Sequence, residues 1–552
     1  MQHDETLAAS KISKKASLHN ALQIALEHYQ AGRLSQAEAI YQQILQAEPN
    51  HPNALHYCGM IAYQLGKSKV AVELISKAIN ANPSSSMYCN LGIALLAQGD
   101  LDAAIKSYRN ALLLKPDYAD AYNGLGNAFK EQGKLDEAVT SYRKALLLKP
   151  DYAEVHTNLG IALQAQGNLD AAVNSHHKAL LFKPGSAEAH FNMGNALKEQ
   201  RKLDEAAASY RKALLLKPDY IKAYFNLGIT LRNYGKLDDA VASFRGALSL
   251  KPDFAEAYNG LGSTLQDQGK VDEAIASYRK ALSVKPDFAD VLCNLHALLL
   301  NHEDMEPSIE CMKRAVEINP DNAIFRFYLG VVLDYSGNSD AATCHFDMAE
   351  KGSNLIRAKL DGWRYIKSVN SKLPPITGCP VQAFKLGINA APSEGLVLEF
   401  GVRFGASIRQ IAALVKQEVH GFDSFEGLPE AWHHEPKGSY STKGVIPDVP
   451  ENVTLHAGWF ENTLPKFLDE ISGSIRFMNI DCDLYSSTKT ILEALAERIV
   501  PGTIIVFDEY IGNERWREDE FKAFQEAVVK FGWNYNYLCF SLWTKQAVIR
   551  IN

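Results

Sequence analysis

Glu399, Gly401 and Gly405 close an apolar run in the stretch Leu396-Val-Leu-Glu-Phe-Gly-Val-Arg-Phe-Gly-Ala-Ser407. The residues after Ser407, Ile408-Arg-Gln-Ile-Ala-Ala-Leu-Val415, carry apolar positions at helical spacing. Strand, tight glycine turn and helix is the opening unit of a doubly wound sheet. Glycine lets a backbone approach a ligand closely, and a helix N-terminus favours a carboxylate or phosphate. The spacing is Glu-x-Gly-x-x-x-Gly, which is not the Gly-x-Gly-x-x-Gly of a dinucleotide site.

Further strand candidates follow at 418–422, 453–457, 475–481 and 503–508, with helical patterns between several of them. Such alternation implies a parallel sheet with helices on both faces. The last two runs, Trp533–Phe540 and Trp543–Ile551, read as an antiparallel hairpin joined by a couple of residues. Ligands of open sheets lie beyond the carboxyl ends of the strands, and here those ends are polar. The turn Glu399-x-Gly401-x-x-x-Gly405 resembles motif I of class I S-adenosylmethionine (SAM) methyltransferases, which implies that Glu399 sits by the amino-acid end of the cofactor. Five parallel strands closed by a hairpin look like that group's Rossmann-like, seven-stranded α/β sheet. Asp423, with Ser424 beside it, comes about 20 residues past the glycine turn, where an acid can accept both ribose hydroxyls. Gly458 and Trp459 follow the third strand and put an aromatic beside the adenine pocket.

Four ordered motifs narrow the resemblance. They are Gly-Phe-Asp-Ser-Phe-Glu-Gly-Leu-Pro-Glu (421–430), Gly-Trp-Phe-x-x-Thr-Leu-Pro (458–465), Asp-x-Asp-Leu-Tyr-x-Ser-Thr (481–488) and Asp-Glu-Tyr (508–510). Together they are similar to the macrocin O-methyltransferase family, over roughly residues 380–552. The resemblance implies methylation of a sugar hydroxyl with SAM, assisted by a magnesium ion. It makes Asp481 a metal ligand and possible base, with Asp508 and Glu509 completing the metal site. The family usually has Asp-Asp where this chain has Asp508-Glu509. The chemistry agrees: a hydroxyl must lose its proton during methyl transfer, a divalent cation lowers the pKa of a bound oxygen, and Mg²⁺ prefers carboxylates. Asp483 can instead cap the chain ahead of Ser486. His433 and His434 lie in a segment, Ala431–Gly444, that reads as a lid or a solvated loop.

The rest of the chain repeats itself. Prolines fall at 49, 83, 116, 150, 184, 218, 252, 286 and 320, in steps of 34 residues save one of 33. Gly92, Gly126, Gly160, Gly194, Gly228 and Gly262 recur in phase, as do Ala104, Ala138, Ala172, Ala206, Ala240 and Ala274. A helix–turn–helix period of this kind looks like the tetratricopeptide repeat (TPR) and implies an all-α superhelical solenoid. Ten units are expected from near Ser17, the ninth with His296 in place of the usual glycine and the last, about 321–354, without its proline. Asn90, Asn158, Asn192, Asn226 and Asn294 form a second in-phase set, interrupted by Gly124 and Gly260. It resembles the asparagine ladder of O-GlcNAc transferases, which grips an extended peptide; the alternative is that each Asn packs the solenoid.

The expected organisation is a mobile lead (1–16), a TPR solenoid (17–354), a linker (355–380) rich in proline toward its end, and the methyltransferase domain (381–552). A formal net charge of −7 and the lack of a long basic block argue against nucleic acid as a partner. No run of 18 apolar residues appears, and Met1-Gln-His-Asp-Glu lacks a signal peptide's apolar core. Eight scattered cysteines without a Cys-x-x-Cys pair suit a reduced, cytoplasmic chain. The expected activity is O-methylation of a sugar or glycoconjugate, with an extended peptide or partner protein in the TPR groove. The rivals are a protein methyltransferase and a scaffold whose methyltransferase domain is inactive.

Overall fold

The computed structural model describes residues 18–552, so the expected lead over 1–16 and the array's start near Ser17 lie outside the described residues. The chain divides into two compact units, Met1–Ala223 and Tyr224–Asn552.

The first unit is built of antiparallel helix pairs such as Ser85–Gln98 with Leu101–Leu114 and Ala119–Glu131 with Leu135–Leu148. Each second helix stops one residue short of the Lys-Pro step. Lys115, for example, is extended (φ −141°, ψ 91°), because a residue before proline is pushed out of the helical region. Within a pair, the small positions answer large rings. Tyr108 is buried, and a Cβ on Gly92 would come within 2.7 Å of its ring. Gly124, in the following repeat, meets the same ring: a Cβ there would lie 2.3 Å away. Phe244 excludes a side chain at Gly260 in the same way, at 2.5 Å.

The repeated Ala-Leu-Leu-Leu-Lys is less apolar in its role than in its letters. Leu113, Leu147 and Leu215 are 80%, 81% and 82% exposed, so the middle leucine of each run contributes nothing to the core.

The second unit opens with helix pairs of the same kind and ends them with Ala323–Tyr335 and Ser339–Ala349. The join that follows is packed. Helix Asn354–Val369 buries Trp363, whose indole N–H donates to Asp334 Oδ2 at 2.8 Å. The proline-rich stretch ends as Pro380 takes the first turn of helix Pro380–Ala390, a position where its missing N–H costs nothing.

A single seven-stranded sheet follows: β1 (Leu396–Phe400), β2 (Val419–Asp423), β3 (Val453–Ala457), β4 (Ile475–Ile480), β5 (Ile504–Phe507), β6 (Tyr535–Phe540) and β7 (Ala547–Ile551). Their spatial order is β3-β2-β1-β4-β5-β7-β6, with β7 alone antiparallel to its neighbours β5 and β6. The hairpin expectation needs one correction. Residues 541–546, not a couple of residues, separate β6 from β7, and Trp543 lies in that connection. Its indole N–H donates to His296 Nε2 at 2.7 Å, and its ring stacks on Tyr328 at 4.9 Å. His296, the residue that replaces the usual repeat glycine, is thereby an acceptor buried against the β6–β7 connection. Desolvation lowers its pKa to about 3 and keeps it neutral.

Two substitutions separate these roles. Leu147→Gln is expected to change unfolding free energy by less than about 0.5 kcal/mol. Tyr142→Ala, which empties a packed ring site, should cost about 3–5 kcal/mol. Urea denaturation followed by circular dichroism measures both; a large loss from Leu147→Gln would show that the stripe is covered.

Candidate active site

The carboxyl ends of β1 to β5 surround a cavity of about 630 Å³. Gly401, Asp423, Ser424, Gly458, Trp459, Asp481, Asp508 and Glu509 all line it, and Glu399 lies fully buried at the end of β1. Gly401 has φ +95°, and a Cβ there would sit 1.7 Å from the Asp481 carbonyl oxygen, so no other residue fits the crossing of β1 and β4. Gly405 (φ +78°) starts helix Ala406–Leu414.

Glu399 is held from two sides. Ser407 Oγ and Asn479 Nδ2, the latter at 3.2 Å, both donate to Oε1. Its other oxygen, Oε2, is buried and has no partner. Burial raises the carboxyl pKa to about 8, the two hydrogen bonds opposing the shift and Asp508 and Asp423 adding to it. Asp423 accepts the backbone N–H groups of Arg403 (2.7 Å) and Phe425 (2.6 Å).

Beyond them the cavity is crowded with acid. Burial and the neighbouring carboxylates push Asp481, Asp483, Asp508 and Glu520 above the usual range. Asp508 is among the like charges that raise Asp481, and Gln546 Nε2 donates to Asp508 Oδ1 at 2.7 Å. Glu509, expected as a third metal ligand, lines the cavity with its two oxygens bridged by Lys545 Nζ at 2.8 and 2.9 Å. Among the described residues no group of three or more His, Cys, Asp or Glu side chains is placed to hold a metal ion. Asp483 lines the cavity in a left-handed conformation (φ +63°) and does not cap a helix.

The segment after β2 folds over the opening. Trp432, His433, His434 and Tyr440 line the cavity. His433 Nε2 contacts Asp519 Oδ2 at 3.0 Å, whereas the His434 side chain is 89% exposed. Arg403 lies over the rings of Phe404 and Tyr440, its guanidinium carbon 5.0 and 4.9 Å from their centroids.

In the repeats, the in-phase asparagines reach toward the preceding unit. Asn158 donates to Asn123 at 3.1 Å, Asn294 donates to Asn259 at 3.0 Å, and Asn90 lies 2.9 Å from His56 Nε2. Asn192 is half-buried, as is Asn226.

Sequence reasoning missed Lys545, Gln546, Arg403 and Glu520. The first two arrive only because β7 inserts beside β5, which pairs Ala547 with Phe507 and brings the residues before it against Asp508 and Glu509. Glu520 starts helix Glu520–Phe531 and looked like an ordinary first-turn acid.

Comparison with known proteins agrees with this division. Residues 398–510 match the family model of a methyltransferase domain. Tetratricopeptide repeat models match 209–242, 230–269, 264–302 and 289–322. Residues 2–223 match the cilia and flagella-associated protein 70 C-terminal domain. A curated relative, the 8-demethyl-8-(2,3-dimethoxy-alpha-L-rhamnosyl)-tetracenomycin-C 4'-O-methyltransferase of Streptomyces olivaceus, is 31% identical over 144 residues. The match covers 21% of this chain and 53% of the relative, so the chain spans about half the length of the relative it matches. Among solved structures, MamA is 28% identical (30% of this chain, 97% of that one, TM-score 0.29). YrrB, a TPR protein with an unusual peptide-binding site, is 23% identical (34% and 97%, TM-score 0.31). No helix among the described residues is long and apolar enough to cross a membrane.

Glu399 generates a pH prediction. An acid titrating near 8 in the folded chain and near 4.5 when unfolded binds more protons folded than unfolded between those values. Stability therefore falls as pH rises through that window. Melting temperature should decline from pH 5 to about 8 more steeply in the wild type than in Glu399→Gln; equal slopes would refute the assignment.

Proposed function

From a chain that joins tetratricopeptide repeats to a methyltransferase domain, we propose a SAM-dependent O-methyltransferase acting on a sugar hydroxyl of a glycan or glycoconjugate. The observation that carries this reading is Glu399 Oε2, a buried, unpartnered carboxylate oxygen behind the Gly401–Gly405 turn. It suits the ammonium of SAM's amino-acid end. Asp423 takes the ribose hydroxyls with the lone pairs its two backbone bonds leave. Ser424, Gly458 and Trp459 wall the adenine side. SAM supplies a sulfonium methyl: the acceptor oxygen bonds the methyl carbon as the C–S bond breaks, and the electron pair stays on sulfur. The sugar acceptor follows from the motifs at 421–430, 458–465 and 481–488 and from the curated relative, which is itself named for methylating a rhamnosyl group.

Asp481 is the residue we assign to the acceptor's proton. It lines the cavity, and burial and the charge of the neighbouring Asp508 raise its carboxyl, which suits a group that accepts a proton. An uncompensated pair of this kind also fits a divalent cation. Mg²⁺ is commonly held by one or two carboxylates and retains its waters. Asp481 and Asp508 would hold it, while Glu509 stays with Lys545. When bound, the ion supplies Lewis-acid lowering of the acceptor's pKa. His433 against Asp519 keeps the lid segment over the cavity and excludes water. The repeats recruit the acceptor or a partner protein along Asn90, Asn158, Asn192, Asn226 and Asn294. The contacts of Asn90, Asn158 and Asn294 to the preceding repeat each use one of an amide's several hydrogen-bonding positions.

Calorimetric titration of SAM, with and without Mg²⁺, tests the reading. Wild type should bind. Glu399→Gln should bind about tenfold or more weakly, the loss expected for a charge-assisted hydrogen bond. Asp481→Asn should keep SAM affinity yet lower methyl transfer to glycosides by about 10²–10⁴-fold. Wild type that fails to bind SAM would leave no enzymatic reading, and preferential methylation of peptides would move the acceptor from sugar to protein.

A further inference from the structure

We propose that the solenoid turn Tyr234-Gly235 positions the cofactor loop, with Tyr234 and Phe404 as the positioning residues. The inference rests on reading Gly401–Gly405 as the SAM loop. Phe404 stands in that loop between the two glycines. Its ring meets Tyr234 edge-on at 5.5 Å. The turn itself also touches it: a Cβ on Gly235 would fall 2.4 Å from Phe404 Cβ. The backbone of Phe404 is fixed from within the catalytic domain, since Arg409 donates to its carbonyl at 3.0 Å. Its side chain is fixed by the solenoid.

Arg403 shows why that bracing matters. It has φ +49°, a conformation disfavoured for a residue with a side chain, so its neighbours must hold it. In that conformation its backbone N–H reaches Asp423 Oδ2 at 2.7 Å, and its guanidinium covers the Phe404 and Tyr440 rings. Displacing Phe404 removes one support of Arg403 and with it the bond that orients the ribose-binding carboxylate. The neighbouring contacts show a continuous seam. Gln410 Nε2, about one turn into helix Ala406–Leu414, donates to the Asp267 carbonyl at 2.7 Å, and Gln382 Nε2 to that of Leu298 at 3.4 Å. Consecutive solenoid turns therefore hold the catalytic domain, and the first of them bears on the cofactor loop.

The repeats supply their own control. Gly133 occupies the equivalent turn of an earlier repeat with φ +75°, against +74° at Gly235, but a Cβ on Gly133 would meet nothing within 4 Å. Alanine at either position carries the same backbone strain; only at Gly235 does it strike Phe404.

The experiment is SAM titration of the full chain as wild type, Tyr234→Ala, Tyr234→Phe, Gly235→Ala and Gly133→Ala, each checked by thermal melting, with methyl-transfer kinetics at saturating SAM. Tyr234→Ala is expected to raise the SAM Kd about three- to tenfold, the scale of an aromatic pair. At saturating SAM its kcat should stay within about twofold of wild type. Tyr234→Phe restores wild-type affinity. Gly235→Ala weakens SAM and Gly133→Ala does not. Should Tyr234→Ala fail to fold, Phe404→Leu reads the same contact from the other side. Wild-type affinity in a folded Tyr234→Ala, or equal losses from the two glycine variants, overturns the inference while leaving the cofactor site intact. Absence of SAM binding by the wild type overturns the cofactor reading and this inference together.

Discussion

Carboxylate charge that outruns its counter-ions is the constraint on which the site depends. Asp481, Asp483, Asp508 and Glu509 line one cavity, with Glu399 and Glu520 fully buried behind it. Like charges in low dielectric cannot all ionise, and the fold relieves them by different means. Lys545 takes Glu509. Gln546 donates to Asp508. Burial raises the Glu399 carboxyl to about 8, which favours its protonated form.

The second dependence is that the site is not held by its own sheet alone. Trp543, in the connection between the last two strands, is an anchor in the ninth and tenth repeats through His296 and Tyr328. That anchor fixes the segment that also carries Lys545, two residues on, and hence the partner of Glu509. Helix Asn354–Val369 adds Lys359, whose ammonium donates to the Leu542 carbonyl in the same connection. Burial lowers its pKa to about 8. The solenoid side of this contact is thus linked to the acid cluster by a few residues of chain.

What could be read from the residues alone was what local physics writes locally. The 34-residue proline period, the glycines facing Tyr108 and Tyr142, and the ends of β1 and β3 needed no tertiary knowledge, because turn chemistry and apolar spacing act over a few residues. The candidate residues at the ends of β1 to β5 were legible for the same reason: each closes its own strand. Lys545 and Gln546 were not, since their place depends on β7 entering between β5 and β6. The His296 departure was visible but mute, because its explanation is an indole 247 residues away.

Near-identical repeats raise a problem of address. Turn glycines at 99, 133, 167, 235 and 269 share almost one backbone conformation, and nothing in a turn of this kind says which copies should meet another domain. The distinction comes from outside the repeat: Phe404 selects Gly235, and Gln410 selects the turn at Gly269. An array can therefore drift in its exposed positions, as Leu113, Leu147 and Leu215 are free to do, while the turns under the catalytic domain are constrained by contacts from the other side. These contacts fix the repeats of the second unit relative to the cavity.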